Sequence, residues 1–430
     1  MCYAIPGKVV GFKDKKAVVD YFGEKKFAWN EFEDLKIGDY IYAQGGFVIN
    51  KIPEKEALEI LEFWKETFFE LRERDFRLSS LDNLSPSSKK TRIILDRALE
   101  GKKLKEDELL YLLNLEDRGD IEYLYKTANF IRQKYHKNAC CVHGIIEFSN
   151  YCTVNCLYCG IRKSNRALNR YRMTEDEIFF TVKEAVEKHG FKAIVLQSGE
   201  DPYFNVEKLS ALIYKIRKNF PLLLFISTSE VGENGLKEFY RAGARGVLIR
   251  FETSNPELYE KLHNEKIDER ISEIESARKL GFLVLTGGLI GLPQQTPEDI
   301  INDILFAKKL KPEMYTFGPF LPHPQTPLRD EKKPDLDIVL KTTALIRLHD
   351  PYGKIVSTTA VETLDPEKGR ISAFMAGANS LMLNLTPMKY KKFYQIYPER
   401  IHENETIEFQ IQKALFDLKK LGRAPTDLGI

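Results

Sequence analysis

Long apolar runs are missing from this sequence. No stretch approaches the roughly 18 consecutive apolar residues of a membrane span, and the start, MCYAIPGKVV, has no charged segment leading into an apolar one. These absences point to a soluble, cytoplasmic protein with no membrane partner. Charge of one sign is missing as well: 65 Lys and Arg stand against 63 Asp and Glu, for a formal net charge of +2. The lysine pairs Lys15-Lys16, Lys25-Lys26, Lys102-Lys103 and Lys332-Lys333 each lie near acids, which reads as a solvated surface and not a nucleic-acid patch. Cysteine is scarce, six in 430 residues, too few and too unevenly spread for a disulfide framework.

The remaining pattern divides the chain. Residues 1 to 50 hold short β-branched and aromatic runs (Lys8 to Phe12, Ala17 to Phe22, Lys26 to Trp29, Asp39 to Ala43, Phe47 to Ile52) punctuated by Gly23, Gly38 and Gly45-Gly46. This predicts a small β-barrel. A helix follows from Pro53 to about Arg74, with Leu58, Leu61, Trp64, Phe68 and Leu71 on one stripe that packs onto that barrel. The polar, Pro-containing stretch Ser79 to Ser88 reads as a linker that allows relative motion, giving domains at 1–76 and 89–430 with 77–88 between them.

Beyond a helical lead-in from Lys89 to about His136, eight apolar runs alternate with helical patterns. The runs are Gly144 to Ser149, Ala193 to Ser198, Leu222 to Thr228, Gly246 to Phe251, Phe282 to Gly288, Met314 to Gly318, Lys354 to Thr358 and Asn379 to Asn384. That alternation predicts the α/β class and a complete parallel (β/α)8 barrel of the TIM type, with chemistry on the loops after its strands.

Directly after the first run comes NYCTVNCLYCG, which packs Cys152, Cys156 and Cys159 into eight positions. A compact loop with this spacing aims three thiolates at one small object. A 4Fe-4S cluster bound by three cysteines keeps one iron free of protein ligand. That iron can chelate an amine and a carboxylate, and S-adenosylmethionine offers both. A structural zinc site is the alternative; it needs a fourth ligand such as His143 or His189. Cys140 and Cys141, adjacent in an extended segment, point to opposite sides and read as inert thiols.

From about Leu78 onward the sequence resembles radical S-adenosylmethionine enzymes, and among them the HydE family of FeFe-hydrogenase maturases. The residues carrying the resemblance are IEFSNYCTVNCLYCGIR, RYRM, VLQSGEDPY, GLPQQT, GPFLPHPQTPL and AGANSLMLNLTP. It implies reductive cleavage of S-adenosylmethionine to a 5′-deoxyadenosyl radical. It also implies a cofactor pocket: Tyr158 near adenine, Gly199 allowing close approach, Glu200 facing the ammonium, Glu230 the ribose hydroxyls, Arg250 the methionine carboxylate and Gly287 the sulfonium or adenine. The family substrate, an iron complex bearing cysteine, carbon monoxide and cyanide, implies contacts from Thr358, Thr359 and Met382. One position departs from the family: Phe251 stands where a histidine is usual.

The N-terminal MCYAIPGKVV with GDYIYAQGGFVINKI and an acidic helix resembles HypC, a small chaperone that carries an iron-cyanide-carbonyl unit. This resemblance makes Cys2 an iron ligand, facing the barrel mouth or a separate partner. Gln44 replaces the histidine of that pattern. The implied partners are an iron precursor, other maturation proteins or a hydrogenase, and an electron donor such as ferredoxin or flavodoxin. Two alternatives stay open: a radical enzyme acting on an organic substrate, as in biotin or methylornithine synthesis, and a non-catalytic iron chaperone or scaffold.

Overall fold

The computed structural model describes residues 5–426 apart from 33, 83 and 229. Five strands, β1 (Gly7–Lys13), β2 (Lys16–Tyr21), β3 (Glu24–Trp29), β4 (Tyr40–Gln44) and β5 (Phe47–Ile52), close into a small barrel in the order β1-β2-β3-β5-β4. Their alternation is regular, with Ala17, Val19 and Tyr21 of β2 pointing inward. Helix α1 (Glu54–Ser79) extends five residues beyond the expected Arg74. Of its stripe, Phe68 and Leu71 are buried and Leu61 and Trp64 partly so, but Leu58 is 49% exposed and does not join the packing.

Three helices, α2 (Lys89–Leu99), α3 (Glu106–Leu113) and α4 (Arg118–His136), lead into the large barrel. Its staves are β6 (Ala139–Ser149), β7 (Ala193–Ser198), β8 (Leu223–Ser227), β9 (Gly246–Leu248), β10 (Leu283–Thr286), β12 (Met314–Tyr315), β14 (Lys354–Ile355) and β15 (Ser380–Asn384). Between them β11 (Leu289–Ile290) and β13 (Gly318–Pro319) form a parallel pair beyond the ends of β10 and β12. All eight staves run parallel in chain order. β15 pairs with β6, and the Val356–Ser380 bridge brings β14 to β15, so the ring closes. A last short strand, β16 (Ala424–Pro425), adds to the outer edge of β6. The helices needed below are α5 (Glu175–Glu187), α6 (Val206–Asn219), α7 (Gly232–Ala242), α8 (Pro256–His263) and α9 (Ile267–Lys279). Among the described residues no helix is long and apolar enough to cross a membrane.

The small barrel sits against the floor of the large one, at the N-terminal ends of its strands. Phe47 and Ile49 of β5 share one apolar cluster with Cys141, Ala193, Leu223, Phe225, Leu285 and Met314. The tip of the β4–β5 hairpin requires glycine twice over. Gly45 has φ +55° and lies where a Cβ would stand 2.6 Å from Leu223 Cδ2, and Gly46 has φ +82°. Arg245 pairs with Glu31 at 3.0 Å, and Lys192 lies over the Tyr42 ring at 4.1 Å. Gln44 is fully buried and donates through Nε2 to the Thr426 carbonyl.

Helix α1 is held as firmly. Asp75 accepts from both Nη atoms of Arg132 at 2.8 Å and forms an ion pair with Arg423, whose Nε lies 3.0 Å away, all three side chains at most 1% exposed. One expectation is corrected here. The linker does not free the N-terminal part to move, because its helix carries the carboxylate that pairs with two buried guanidiniums; a cut after residue 76 would remove that carboxylate. The small barrel itself occupies the end opposite the mouth. Cys2 itself lies outside the described residues.

Candidate active site

The cysteine loop follows β6 at the mouth and is shaped by its neighbours. Arg170 donates to the carbonyls of Ile161 (2.7 Å), Arg162 (2.6 Å) and Asn165 (3.2 Å), folding the loop around one guanidinium. Arg172 grips Asp201 through Nε at 2.7 Å and Nη2 at 2.9 Å, and Ser149 Oγ donates to the same carboxylate at 2.6 Å. The RYRM and SGED phrases are therefore braces for the loop.

Cys152, Cys156, Tyr158 and Cys159 line a cavity of about 320 Å³ with Glu200, Arg250, Glu252, Arg270, Thr316, Thr358, Thr359 and Met382. Burial pushes all three thiols up, Cys159 to about 12, so bound iron must supply the positive charge that keeps them ionised. Among the described residues the only three-ligand group with donor atoms all within 4.8 Å of one another is Glu184, His189 and Glu408 at the surface. The three sulfurs are thus not all within 4.8 Å of one another, which suits a polynuclear cluster. Neither histidine considered as a fourth ligand serves: His143 is stacked on Phe225 inside the barrel, and His189 neighbours Glu408.

Charged groups ring the opposite wall. Arg250 Nη2 donates to the Gly288 carbonyl at 2.6 Å and meets Glu252 at 3.1 Å, while its buried Nε has no hydrogen-bond partner. An aimed, unsatisfied guanidinium donor fits an incoming carboxylate. Glu200 pairs with Arg270 at 3.6 Å and not with Arg250. Burial, offset by Arg270 and reinforced by Glu230, pushes its carboxyl up to about 7. An ammonium group would relieve that cost. Glu230 meets Arg270 Nε at 2.8 Å. Thr316 and Thr358 each bring a buried hydroxyl without a hydrogen-bond partner. The residues present therefore fit a cluster and a zwitterionic amino-acid moiety.

Of the two glycines expected at the cofactor, Gly199 lines the cavity and Gly287 does not. A Cβ on Gly199 would stand 2.3 Å from the Tyr151 carbonyl oxygen and 2.9 Å from Cys152 Cβ, so its bareness makes room for the cysteine loop itself. Gly287 does not line the cavity: a Cβ on it would stand 2.7 Å from the Thr316 carbonyl group on the neighbouring strand. Phe251 likewise faces away, edge-on to Phe306 at 5.1 Å, so the departure there leaves the cavity lining unchanged. Sequence reasoning missed Arg270, Glu252 and Thr316. Arg270 had a signal: with Ile267 and Ile274 it falls on the buried face of α9, an unusual place for arginine.

The description "Radical SAM superfamily" matches residues 146–307, and "HupF/HypC family" matches residues 1–64. The chain is 40% identical over 335 residues to the [FeFe] hydrogenase maturase subunit HydE of Thermotoga maritima, covering 78% of this chain and 95% of that one. It is 31% identical over 287 residues to a 3-methylornithine synthase of Methanosarcina acetivorans, covering 66% and 80%. The crystal structure of methylornithine synthase (PylB) superposes with a TM-score of 0.67 at 26% identity, over 77% of this chain and 97% of that one. That of HydG, a maturase of the [FeFe]-hydrogenase, gives 0.67 at 21% over 84% and 78%, a likeness of fold.

Proposed function

We propose, for a chain that belongs to the radical S-adenosylmethionine superfamily and within it to the HydE family, that it is a hydrogenase maturase acting on an iron-carbonyl-cyanide or cysteine-iron precursor. The observation that carries this reading is the mouth cavity, where three cysteines face an unsatisfied guanidinium and a high-pKa carboxyl. Cys152, Cys156 and Cys159 hold the 4Fe-4S cluster. That cluster supplies the electron for reductive cleavage of S-adenosylmethionine. Arg250 binds the methionine carboxylate in a bidentate manner that lysine would match poorly. Glu200 accepts the ammonium, Glu230 faces the ribose hydroxyls, and Arg270 keeps the two acids apart and oriented. Tyr158 flanks the adenine.

Further round the cavity wall, Thr316, Thr358 and Thr359 offer hydroxyls to cyanide, carbonyl or carboxylate ligands of the iron precursor, and Met382 completes the wall. The closed floor excludes water from that end. The HypC-like barrel supplies Cys2 as a carrier of the iron unit or docks a partner of the maturation pathway, and a reduced ferredoxin or flavodoxin in the cytoplasm supplies the electron. The 3-methylornithine synthase similarity favours one second reading, an organic amino-acid substrate in the same cavity.

The test is anaerobic. Reconstituted protein given dithionite should release 5′-deoxyadenosine and methionine, and purified protein should show infrared bands of carbonyl and cyanide that are lost in Cys2→Ser. A site that fills with zinc and leaves S-adenosylmethionine intact would sink the enzymatic reading. Turnover coupled to an amino acid, with no iron-bound diatomics in cells, would favour the organic substrate.

A further inference from the structure

The cysteine loop is tied to the far wall of its cavity by a chain of contacts that the catalytic assignment leaves unused. Leu157 N donates to the Leu262 carbonyl at 2.9 Å, so the loop's backbone hangs from the last turn of α8. The next residue, Tyr158, has its hydroxyl 3.0 Å from His263 Nε2, with the two rings edge-to-face at 5.5 Å and 80°. The other ring nitrogen, Nδ1, lies 3.0 Å from the Tyr259 carbonyl oxygen. A carbonyl can only accept, so Nδ1 carries the proton, Nε2 is left as the acceptor, and Tyr158 donates to it. His263 is 4% exposed and stacks on the Tyr259 ring at 4.1 Å and 21°. The Tyr259 hydroxyl in turn hydrogen-bonds with Arg270, which holds Glu230 and Glu200. The Leu157–Leu262, Tyr158–His263 and His263–Tyr259 bonds are 2.9 to 3.0 Å long, and each of the three rings packs against the next.

We propose that His263 is a positioning residue: it fixes Tyr158 between the last two cysteines, and through Tyr259 it joins the cluster loop to the Arg270 clamp, so that filling the clamp is sensed at the cluster. The inference rests on the cofactor reading above and adds a residue and a route to it. The chemistry suits the task. An imidazole held in one tautomer accepts from Tyr158 while its own orientation is set from the other side, as an aliphatic side chain would not do. The route runs along α8 and the start of α9, two elements joined by only three residues, Asn264 to Lys266. A displacement of Arg270 when Glu200 and Glu230 take up the ammonium and ribose groups therefore has a direct mechanical path to Tyr158.

The experiment uses full-length protein, reconstituted anaerobically and reduced. Wild type should show a shift of its reduced electron paramagnetic resonance spectrum on adding S-adenosylmethionine. His263→Leu and Tyr158→Phe should each keep normal iron and sulfide content and melting temperature, yet bind S-adenosylmethionine about tenfold more weakly and lose most of the spectral shift, the size expected for one lost hydrogen bond. His263→Gln, which retains an acceptor, should recover the affinity to within about twofold to threefold. The double variant should be no worse than either single one, because both remove the same bond. If His263→Leu binds and responds like wild type, or loses cluster and stability in proportion to affinity, the positioning role is overturned. If wild type itself ignores S-adenosylmethionine, the cofactor reading falls and this inference falls with it.

Discussion

The floor and the mouth of the large barrel are built on opposite terms. At the floor the charges are paired within the protein, with Arg423 Nη1 and Gln44 Oε1 the exceptions in having no hydrogen-bond partner: Asp75 meets Arg132 and Arg423, Glu31 meets Arg245, and the hairpin tip fills the space between Leu223 and Leu283. At the mouth, Arg250 Nε and the hydroxyls of Thr316 and Thr358 are buried without hydrogen-bond partners, and Glu200 is held near neutrality. Unmet polar groups cost stability, of the order of 1–3 kcal/mol each. A fold tolerates them where a ligand will meet them. The contrast teaches that the N-terminal addition belongs to the stabilising end and the chemistry to the other.

Removing one partner from the floor should break this contrast most severely. Asp75→Asn leaves two guanidiniums buried with no carboxylate and should cost about 3–5 kcal/mol in urea unfolding, without direct effect on cofactor affinity in the surviving folded fraction. A smaller loss would mean that water reaches Arg132 and Arg423.

The wall beside the mouth offers a sharper contrast between two acids. Burial pushes Glu362 up, but His402, Arg370 and Lys413 outweigh it and hold the carboxyl at about 2, whereas Glu200 stands at about 7. For Glu362, whose folded value lies below its ordinary 4.5, the stabilisation is complete above 4.5 and is lost as the pH falls from there through 2. A shift of that size is worth about 3 kcal/mol. Glu362→Gln should therefore destabilise the protein at pH 7 and lose much less further stability on acidification than wild type does, as thermal unfolding at pH 7, 4 and 3 will show.

At the mouth the order of effects should reverse. Arg250→Ala should weaken S-adenosylmethionine binding by about 2 kcal/mol by equilibrium titration while leaving the urea midpoint close to wild type. Unchanged binding would move the carboxylate clamp to Arg270. Least of all, Gln44→Ala should cost about 1 kcal/mol at the floor, read as a small drop in melting temperature, with cofactor binding untouched.

Much of this arrangement was legible in the sequence. All eight staves overlap the apolar runs expected, because buried parallel strands are continuous apolar segments that need no partner to be recognised. The cysteine loop was legible for the same local reason. Arg270 and Asp75 were not, although each lies on the apolar face of its helix, Arg270 between Ile267 and Ile274 and Asp75 four residues after Leu71. A single charge on such a stripe acquires meaning only from its partner, and those partners lie 40 and 57 residues away at Glu230 and Arg132. The docking of the hairpin was equally invisible, since Gly45 and Gly46 are what any tight turn would carry.

The hairpin that seals the floor also sets the order of any handover reaction. A stave such as β7, with six residues, spans roughly 20 Å, and the space between the N-terminal barrel and the cysteines is filled by Phe47, Ile49, Phe225 and Met314. An iron unit held on the small barrel would find no passage through that packing to the cavity of its own chain. Transfer would have to go through solvent, through a partner or to the mouth of another molecule, so its rate should rise with protein concentration as a bimolecular step does. In that case the fusion secures equal numbers of carrier and enzyme, and stoichiometry, not proximity, is what it provides.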